Sequence, residues 1–180
     1  MQNESILLDT CCFVNLCASG CLMEALQHDE WHYVLSGIVA DEAFYIQREN
    51  TASDDGTEFE EIDSRKLATD AGMKIIEVGE ASEIDLYVRL AIPLDDGEAH
   101  GLAVAKSLGF CFGTDDRKAI RIASLPEVDV KVITTPEIVK HWLDDKLVAM
   151  EPRELLSNIE RYGRFQPRKN ALLVDWWASQ

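Results

Sequence analysis

The chain has 180 residues, of which 47% are hydrophobic and 28% are charged, as is typical of a single soluble globular domain. Its net charge of −16 at pH 7 argues against a protein that holds long nucleic acid on a broad basic surface. The sequence shows neither an apolar run of about 20 residues that would cross a bilayer nor the basic start of a signal peptide. We therefore expect a cytoplasmic protein that does not associate with membranes.

Short apolar runs predict five strands, at residues 6–9, 33–35, 74–78, 110–112 and 130–133. Helical patterns are predicted between and after them, at residues 13–27 with a break near Gly20, and at residues 37–46, 57–71, 82–92, 95–108, 115–123, from 136 onward, 153–162 and 171–178. Ser36, Gly109 and Pro136 supply start and stop signals for three of these helices, and residues 50–55 are predicted to form a polar loop. Because strands alternate with helices, we predict an α/β fold with a parallel sheet covered on both faces.

The chain is predicted to divide near residue 150. Residues 1–150 form the α/β domain, and residues 151–180 form a C-terminal helical extension that ends in a tail with Trp176 and Trp177. These tryptophans pack either on the domain or on a second subunit, and the sequence leaves both arrangements open. We expect a homo-oligomer.

The five cysteines are an odd number, which is typical of a reducing compartment rather than of a disulfide framework. Cys17 and Cys21, like His28 and His32, are four residues apart and would each present two ligands on one helical face. No CxxC pair accompanies them, and free cysteines are common in protein cores. We therefore favour buried thiols over a zinc site.

Five carboxylates lie beside apolar runs, where an uncompensated charge is costly: Asp9, Glu42, Glu98, Asp115 and Asp116. Asp9 ends the first strand and Asp115 and Asp116 follow the fourth, at the sheet edge where α/β proteins place functional groups. Taken singly, an acid at such a position is often only a helix cap or a partner of the helix dipole.

Helical periodicity favours a shared site for these acids. The residues three and four positions from Glu42 are all apolar, which predicts that Glu42 lies inside a helix and on its buried stripe. Glu98 shares a helical face with Gly101 and Leu102, and Asp116 shares one with Ala119. We therefore predict that Asp9, Glu42, Glu98 and Asp116 point towards one place, with Asp115 beside them.

Converging carboxylates repel one another and raise one another's pKa values. A hard divalent cation, Mg²⁺ or Mn²⁺, relieves that repulsion, activates a bound water and stabilises charge on an attacked phosphoryl group. The acid pattern therefore predicts metal-dependent hydrolysis of phosphodiester bonds.

Three motifs carry a family resemblance: LLDT at residues 7–10 before an apolar helix, GEA at residues 97–99 with GLAVA at 101–105, and GTDDRKA at residues 113–119. They occur in the order seen in PIN-domain nucleases. Over roughly residues 5–135, as judged by motif spacing, the chain resembles that family, in the branch with Gly-Glu-Ala and Asp-Asp motifs.

The resemblance implies a three-layer α/β/α domain that cleaves single-stranded or structured RNA with Mg²⁺ or Mn²⁺. It implies that Asp9, Glu42, Glu98 and Asp116 are the catalytic, metal-binding acids, and Asp115 is the alternative ligand for the last place. Many members carry Asn where this chain has Cys11, and many carry Asp where it has Glu98.

Three residues near the last acids are predicted to bind substrate. Thr114 matches a polar position of the family that helps to orient the acids, and Arg117 and Lys118 follow the acids closely enough to contact phosphates. An exposed helix face explains the two cations equally well.

Two functions remain open at this point. One is a metal-dependent endoribonuclease, for which the toxin of a toxin-antitoxin pair is one open role. The other is a catalytically silent PIN-like binding module that acts within a protein complex. The intact acids favour the enzyme, whereas the net charge of −16 favours help from an antitoxin or another protein partner in engaging RNA.

Overall fold

The computed structural model describes residues 4–42, 44–49, 57–77, 79 and 84–180. Its strands are β1 (Ser5–Leu8), β2 (His32–Ser36), β3 (Phe44–Glu49), β4 (Thr57–Ile62), β5 (Lys74–Ile76), β6 (Cys111–Gly113) and β7 (Val132–Ile133). Its helices are α1 (Thr10–Ala18), α2 (Leu22–His28), α3 (Gly37–Asp41), α4 (Ser64–Asp70), α5 (Ile84–Leu90), α6 (Asp96–Leu108), α7 (Arg117–Ala123), α8 (Thr135–Asp144), α9 (Pro152–Tyr162) and α10 (Val174–Ala178).

Five strands form a parallel sheet in the order β5-β2-β1-β6-β7. The central strand β1 pairs with β2 on one side and with β6 on the other, so that Ile6 lies beside both Tyr33 and Cys111. All five strands predicted from apolar runs are present in this sheet. The prediction of a central parallel sheet is therefore confirmed.

Helices cover both faces of the sheet. Ile6 and Leu8 of β1 pack into a core with α1, α8 and α9, whereas Leu7 packs into a second core with α5, α6 and α7. This alternation follows from the pleat, which points successive side chains to opposite faces. The predicted α/β/α arrangement of three layers is confirmed. No helix in the described ranges is long and apolar enough to cross a membrane.

An antiparallel hairpin of β3 and β4 stands where the sequence predicts helices. Phe44 and Ile46 point into the first core, and Phe44 meets Phe13 edge-on with ring centroids 5.8 Å apart. Tyr45 and Phe59 face outward and are more than half exposed. The helix predictions over residues 37–46 and 57–71 are wrong in this part, although α3 and α4 occupy their other ends. The loop predicted at residues 50–55 lies outside the described residues.

The helix start and stop signals operate as predicted. The Ser36 hydroxyl accepts a hydrogen bond from the Val39 N–H (3.2 Å) at the start of α3. Gly109 ends α6 in the left-handed region at φ 68°, where a side chain would be strained. Pro136 lies in the first turn of α8.

The C-terminal helices pack on the first core. Leu155 and Ile159 of α9 are fully buried there. Trp177 of α10 is also buried, and its indole N–H donates to Glu160 at 2.8 Å. Trp177 therefore packs on its own chain.

Candidate active site

The predicted acids gather at the carboxyl edge of the sheet. Asp9 follows β1 and its N–H donates to the Gly113 carbonyl at the end of β6 (2.9 Å). The connections from β1 and β6 leave towards opposite ends of the sheet, so these two strands flank the point where the strand order reverses. Open α/β sheets form a crevice at such a point. Glu42 and Glu98 reach the same edge from the end of α3 and the start of α6.

Asp9 is only 4% exposed, and it caps α1 by accepting the Cys12 N–H at 2.6 Å. The pKa of Asp9 is raised to about 7, chiefly by burial and to a smaller extent by the negative charges of Asp115 and Glu98, against the opposing effect of hydrogen bonds from Thr114 and Cys12. A carboxyl that titrates near neutrality lacks sufficient compensation for its charge. A cation beside it would supply that compensation.

Glu42 does not lie on a buried helical stripe, so that prediction is wrong. Helix α3 ends at Asp41, and Glu42 is its exposed C-cap with extended backbone (φ −72°, ψ 130°). Its carboxylate nevertheless turns towards the other acids, because it accepts a hydrogen bond from the Thr10 hydroxyl. A Cβ added at Gly97 would stand 3.3 Å from its Oε1. Glu42 thus lies between the start of α1 and the start of α6.

Glu98 is half-buried in the first turn of α6, where its N–H donates to Asp95 Oδ1 at 2.8 Å. The pKa of Glu98 is raised to about 7, chiefly by burial and then by the charges of Asp95 and Asp116. Asp95 is therefore a further acid beside the site, and it is not among the site residues predicted from the sequence. Its position three residues before an acid in the first helical turn is an N-cap signal that would have identified it.

Asp115 and Asp116 are held differently. Oδ1 of Asp116 accepts the N–H groups of Lys118 (2.7 Å) and Ala119 (3.0 Å), so Asp116 caps α7 rather than lying on a face within it. Both oxygens of Asp115 accept hydrogen bonds, one from the Thr135 N–H (3.1 Å) and the other from the Thr135 hydroxyl and from Asn15. Burial raises the pKa of Asp115. Asp115 is thus the more committed of the two to contacts within the protein.

Thr114 is fully buried, and its part in substrate binding stays a prediction. Its hydroxyl accepts the Asp116 N–H at 3.1 Å and donates to the Asp9 carboxylate. Thr114 therefore orients two of the acids. Arg117 and Lys118 are exposed at the start of α7, and the positive charge of Lys118 acts to lower the pKa of Glu98.

The donor chemistry of this edge fits Mg²⁺ or Mn²⁺. Asp9, Glu98 and Asp116 offer hard carboxylate oxygens. Burial is the main cause that raises the pKa of Asp9 and Glu98 to about 7, and a nearby positive charge would stabilise their ionised forms. Among residues 4–42, 44–49, 57–77, 79 and 84–180, no three His, Cys, Asp or Glu side chains are placed to hold one ion between them. Magnesium is commonly bound through one or two carboxylates and several waters, a mode that does not need three protein ligands.

Thr135→Val is expected to lower the free energy of unfolding by about 1–3 kcal/mol. Valine has the shape of threonine but cannot donate to Asp115, whose buried carboxylate then loses a partner. Urea denaturation measures the change. The matched control is Thr69→Val, since Thr69 is exposed on α4 and donates to a carbonyl of its own helix. Equal effects of the two substitutions would contradict a supporting role of Thr135.

Comparisons with known proteins give a likeness in structure. No family model and no curated protein matches the chain. A PilT N-terminus domain protein from the hyperthermophilic archaeon Sulfolobus solfataricus P2 is similar in structure, with a TM-score of 0.43 and 17% sequence identity over 82% of this chain and 97% of that chain. What the site can do is therefore derived from its own residues.

Proposed function

We propose that this protein is a metal-dependent endoribonuclease of the PIN-like kind, which hydrolyses phosphodiester bonds of RNA with Mg²⁺ or Mn²⁺. The observation that carries the proposal is the gathering of Asp9, Glu42, Glu98 and Asp116 from four separate segments at one edge of the sheet. Two of these acids have a pKa raised to about 7. Carboxylates that only cap helices need not lie close to one another. Placing them together does not improve the packing of the protein.

One or two carboxylates of the set Asp9, Glu98 and Asp116 would hold the ion together with waters, with Asp115 as the alternative to Asp116. A bound divalent ion lowers the pKa of a water and stabilises charge on the phosphoryl group. Thr114 keeps Asp9 and Asp116 in their orientation through its two hydrogen bonds. Glu42, hydrogen-bonded to Thr10, lies at the exposed side of the site, where it can accept a hydrogen bond from the attacking water.

Arg117 and Lys118 are proposed to contact substrate phosphates. Both are exposed at the start of α7, directly after the acids. The resulting arrangement places positive side chains beside a negative site, so that the phosphates flanking the cleaved bond are attracted while the acids bind the ion.

The second candidate is a catalytically silent binding module that acts in a complex, or a toxin that an antitoxin holds inactive. It is favoured by the net charge of −16, which repels RNA, and by the absence, in the described ranges, of three side chains placed to hold an ion. A toxin would arrest growth when expressed alone, and co-expression of its antitoxin would relieve the arrest.

Incubation of labelled single-stranded RNA with the protein and Mn²⁺ tests the choice. Cleavage is expected, and a chelator should abolish it. Glu98→Gln should lower the rate roughly 100-fold or more, as loss of a group that stabilises the transition state does. Glu127→Gln is the matched control, because Glu127 is exposed beyond the far end of α7. If no RNA is cut at any salt concentration and Mn²⁺ does not change the melting temperature, the binding module is the correct reading.

A further inference from the structure

The cations of this acidic chain are distributed unevenly. The whole chain carries 33 acidic and 17 basic residues, but residues 161–174 contain no Asp or Glu at all. Four cations fall within the first nine positions of that stretch: Arg161, Arg164, Arg168 and Lys169. All four are exposed. We call residues 161–169 the basic arm.

The basic arm begins next to the candidate active site. Helix α9 lies against α1, with Asn158 donating to the carbonyl of Ser19 (3.2 Å) just beyond the C-terminal end of α1. Five residues later, a Cβ added at Gly163 would stand 2.9 Å from Asn15 Oδ1. The chain therefore advances along α1 towards the end that Asp9 caps.

One side chain separates Gly163 of the basic arm from Asp115. Asn15, against which Gly163 packs, donates through Nδ2 to Asp115 at 3.4 Å. Gly163 has no space for a side chain, since its added Cβ would also approach the Ile159 carbonyl to 2.8 Å. This close approach fixes where the basic arm starts.

The basic arm is held on the body of the protein. Arg164 adopts a left-handed conformation (φ 54°) that turns the chain after α9. Phe165 then packs edge-on against Trp177, with ring centroids 5.7 Å apart. The cations are thus presented from an anchored segment, which lowers the ordering entropy that a ligand must overcome.

We infer that the basic arm is a binding site for the phosphates of single-stranded RNA. It binds the RNA next to the point where the RNA reaches the acids. The inference rests on the proposed function, because it assigns the substrate's path at the same site. Arg117 and Lys118 belong to α7 in one layer, whereas the basic arm follows α9 in the other layer. The RNA strand passes between these two groups of cations, and its cleaved phosphodiester bond lies over the acids.

This placement accounts for how so acidic a protein engages RNA. Single strands are bound by cations that follow the backbone together with aromatic rings on which bases stack. Tyr162 is half-buried at the end of α9, with the Arg161 guanidinium 5.6 Å from its ring centre. The basic arm thus combines both kinds of group, and the rest of the surface repels RNA that is not in this path.

Binding measured without cleavage tests the inference. The probe is a fluorescein-labelled oligouridylate, titrated in chelator at several salt concentrations, with fluorescence anisotropy as the readout. The variant combines Arg164→Gln, Arg168→Gln and Lys169→Gln. The slope of log affinity against log salt should fall by about 2, because each lost phosphate contact removes about 0.7 on a single strand. Affinity at low salt should fall roughly tenfold.

A matched control removes three positive charges at the opposite edge of the sheet. Lys74 starts β5, Lys106 lies near the end of α6 and Lys146 follows α8, and changing all three to Gln should leave the slope unaltered. A second variant, Arg168→Gln with Lys169→Gln, spares the turn at Arg164 and should lower the slope by about 1.4. Melting temperatures of all variants verify that they fold.

Two outcomes would overturn the inference. One is a slope for the arm variants equal to that of the control. The other is unaltered RNA binding together with loss of binding to a poly-glutamate peptide, which would assign the basic arm to an acidic protein. Absence of nuclease activity would overturn only the proposed function, since the slope does not depend on cleavage.

Discussion

Asp9→Asn is expected to stabilise the metal-free protein at pH 8 while abolishing RNA cleavage. The pKa of Asp9 is raised from 3.8 to about 7 in the folded chain, so the native state binds a proton that the unfolded state releases. Stability then falls as pH rises from about 4 to 7, and the loss is complete above 7. Asparagine carries no charge to bury, and the gain at pH 8 should be on the order of a few kcal/mol. Urea denaturation in chelator at pH 4 and pH 8 measures it.

Asp63→Asn is the matched control for this prediction. Asp63 also caps a helix, accepting the Lys66 N–H at 2.8 Å, but it is exposed. Its substitution should change stability little at either pH. A lower stability of Asp9→Asn at pH 8 would show that the Asp9 charge is already compensated within the protein.

Stabilisation by Mn²⁺ is expected to depend steeply on pH. The ion binds ionised carboxylates. Burial is the main cause that raises the pKa of Asp9 and of Glu98 to about 7, so both groups are partly protonated at and below neutral pH. Protons therefore compete with the ion below neutrality. The apparent affinity should be roughly ten- to one-hundredfold weaker at pH 6 than at pH 8 if one or both carboxyls must lose a proton. Thermal melting across a Mn²⁺ titration at each pH gives these affinities.

Two controls isolate the acids in that experiment. Sodium chloride at matched ionic strength removes the general effect of salt on a chain of charge −16. The Asp9→Asn variant should lose most of the Mn²⁺ response. A response that is independent of pH, or one that survives in this variant, would place the ion elsewhere.

The central sheet was predictable from the sequence because each strand is a short apolar run with a turn signal after it. Strands that are buried on both faces have no polar side, so their sequences are continuous runs of apolar residues. The run from Ile6 to Leu8 is of this kind, and all three of its side chains are fully buried. The caps of α3 and α6 were equally readable, because Ser36 and Gly109 act through local geometry.

The hairpin was missed for an identifiable reason. Ile38, Val39, Tyr45 and Ile46 fit the spacing of one helical face around Glu42, and a window of nine residues does not separate that period from a short helix followed by a strand. In β4, Phe59 is exposed and three of the six residues are glutamates. The sequence of such a strand lacks the alternation of apolar and polar residues that predicts a strand. It is recognised from its pairing with β3 in the structure.

The acids of the candidate site could be predicted from the sequence, but the residues that hydrogen-bond to them could not. Asp9 and Asp116 follow strands, so their place at the sheet edge followed from the topology. Asn15 and Thr135 meet Asp115 across 100 and 20 residues of sequence. Nothing local distinguishes them, because only the adjacent positions of β6 and β7 and the packing of α1 bring them together.

The two cores that flank the sheet have a consequence for when the site exists. Glu98 and Asp116 belong to segments seated on the core around Leu7, whereas Glu42, Asn15 and Thr135 belong to segments seated on the core around Leu8. Neither half carries the full set of acids and supports. A chain in which either half has melted therefore lacks the assembled site, and the proposed RNA cleavage requires both cores to be formed.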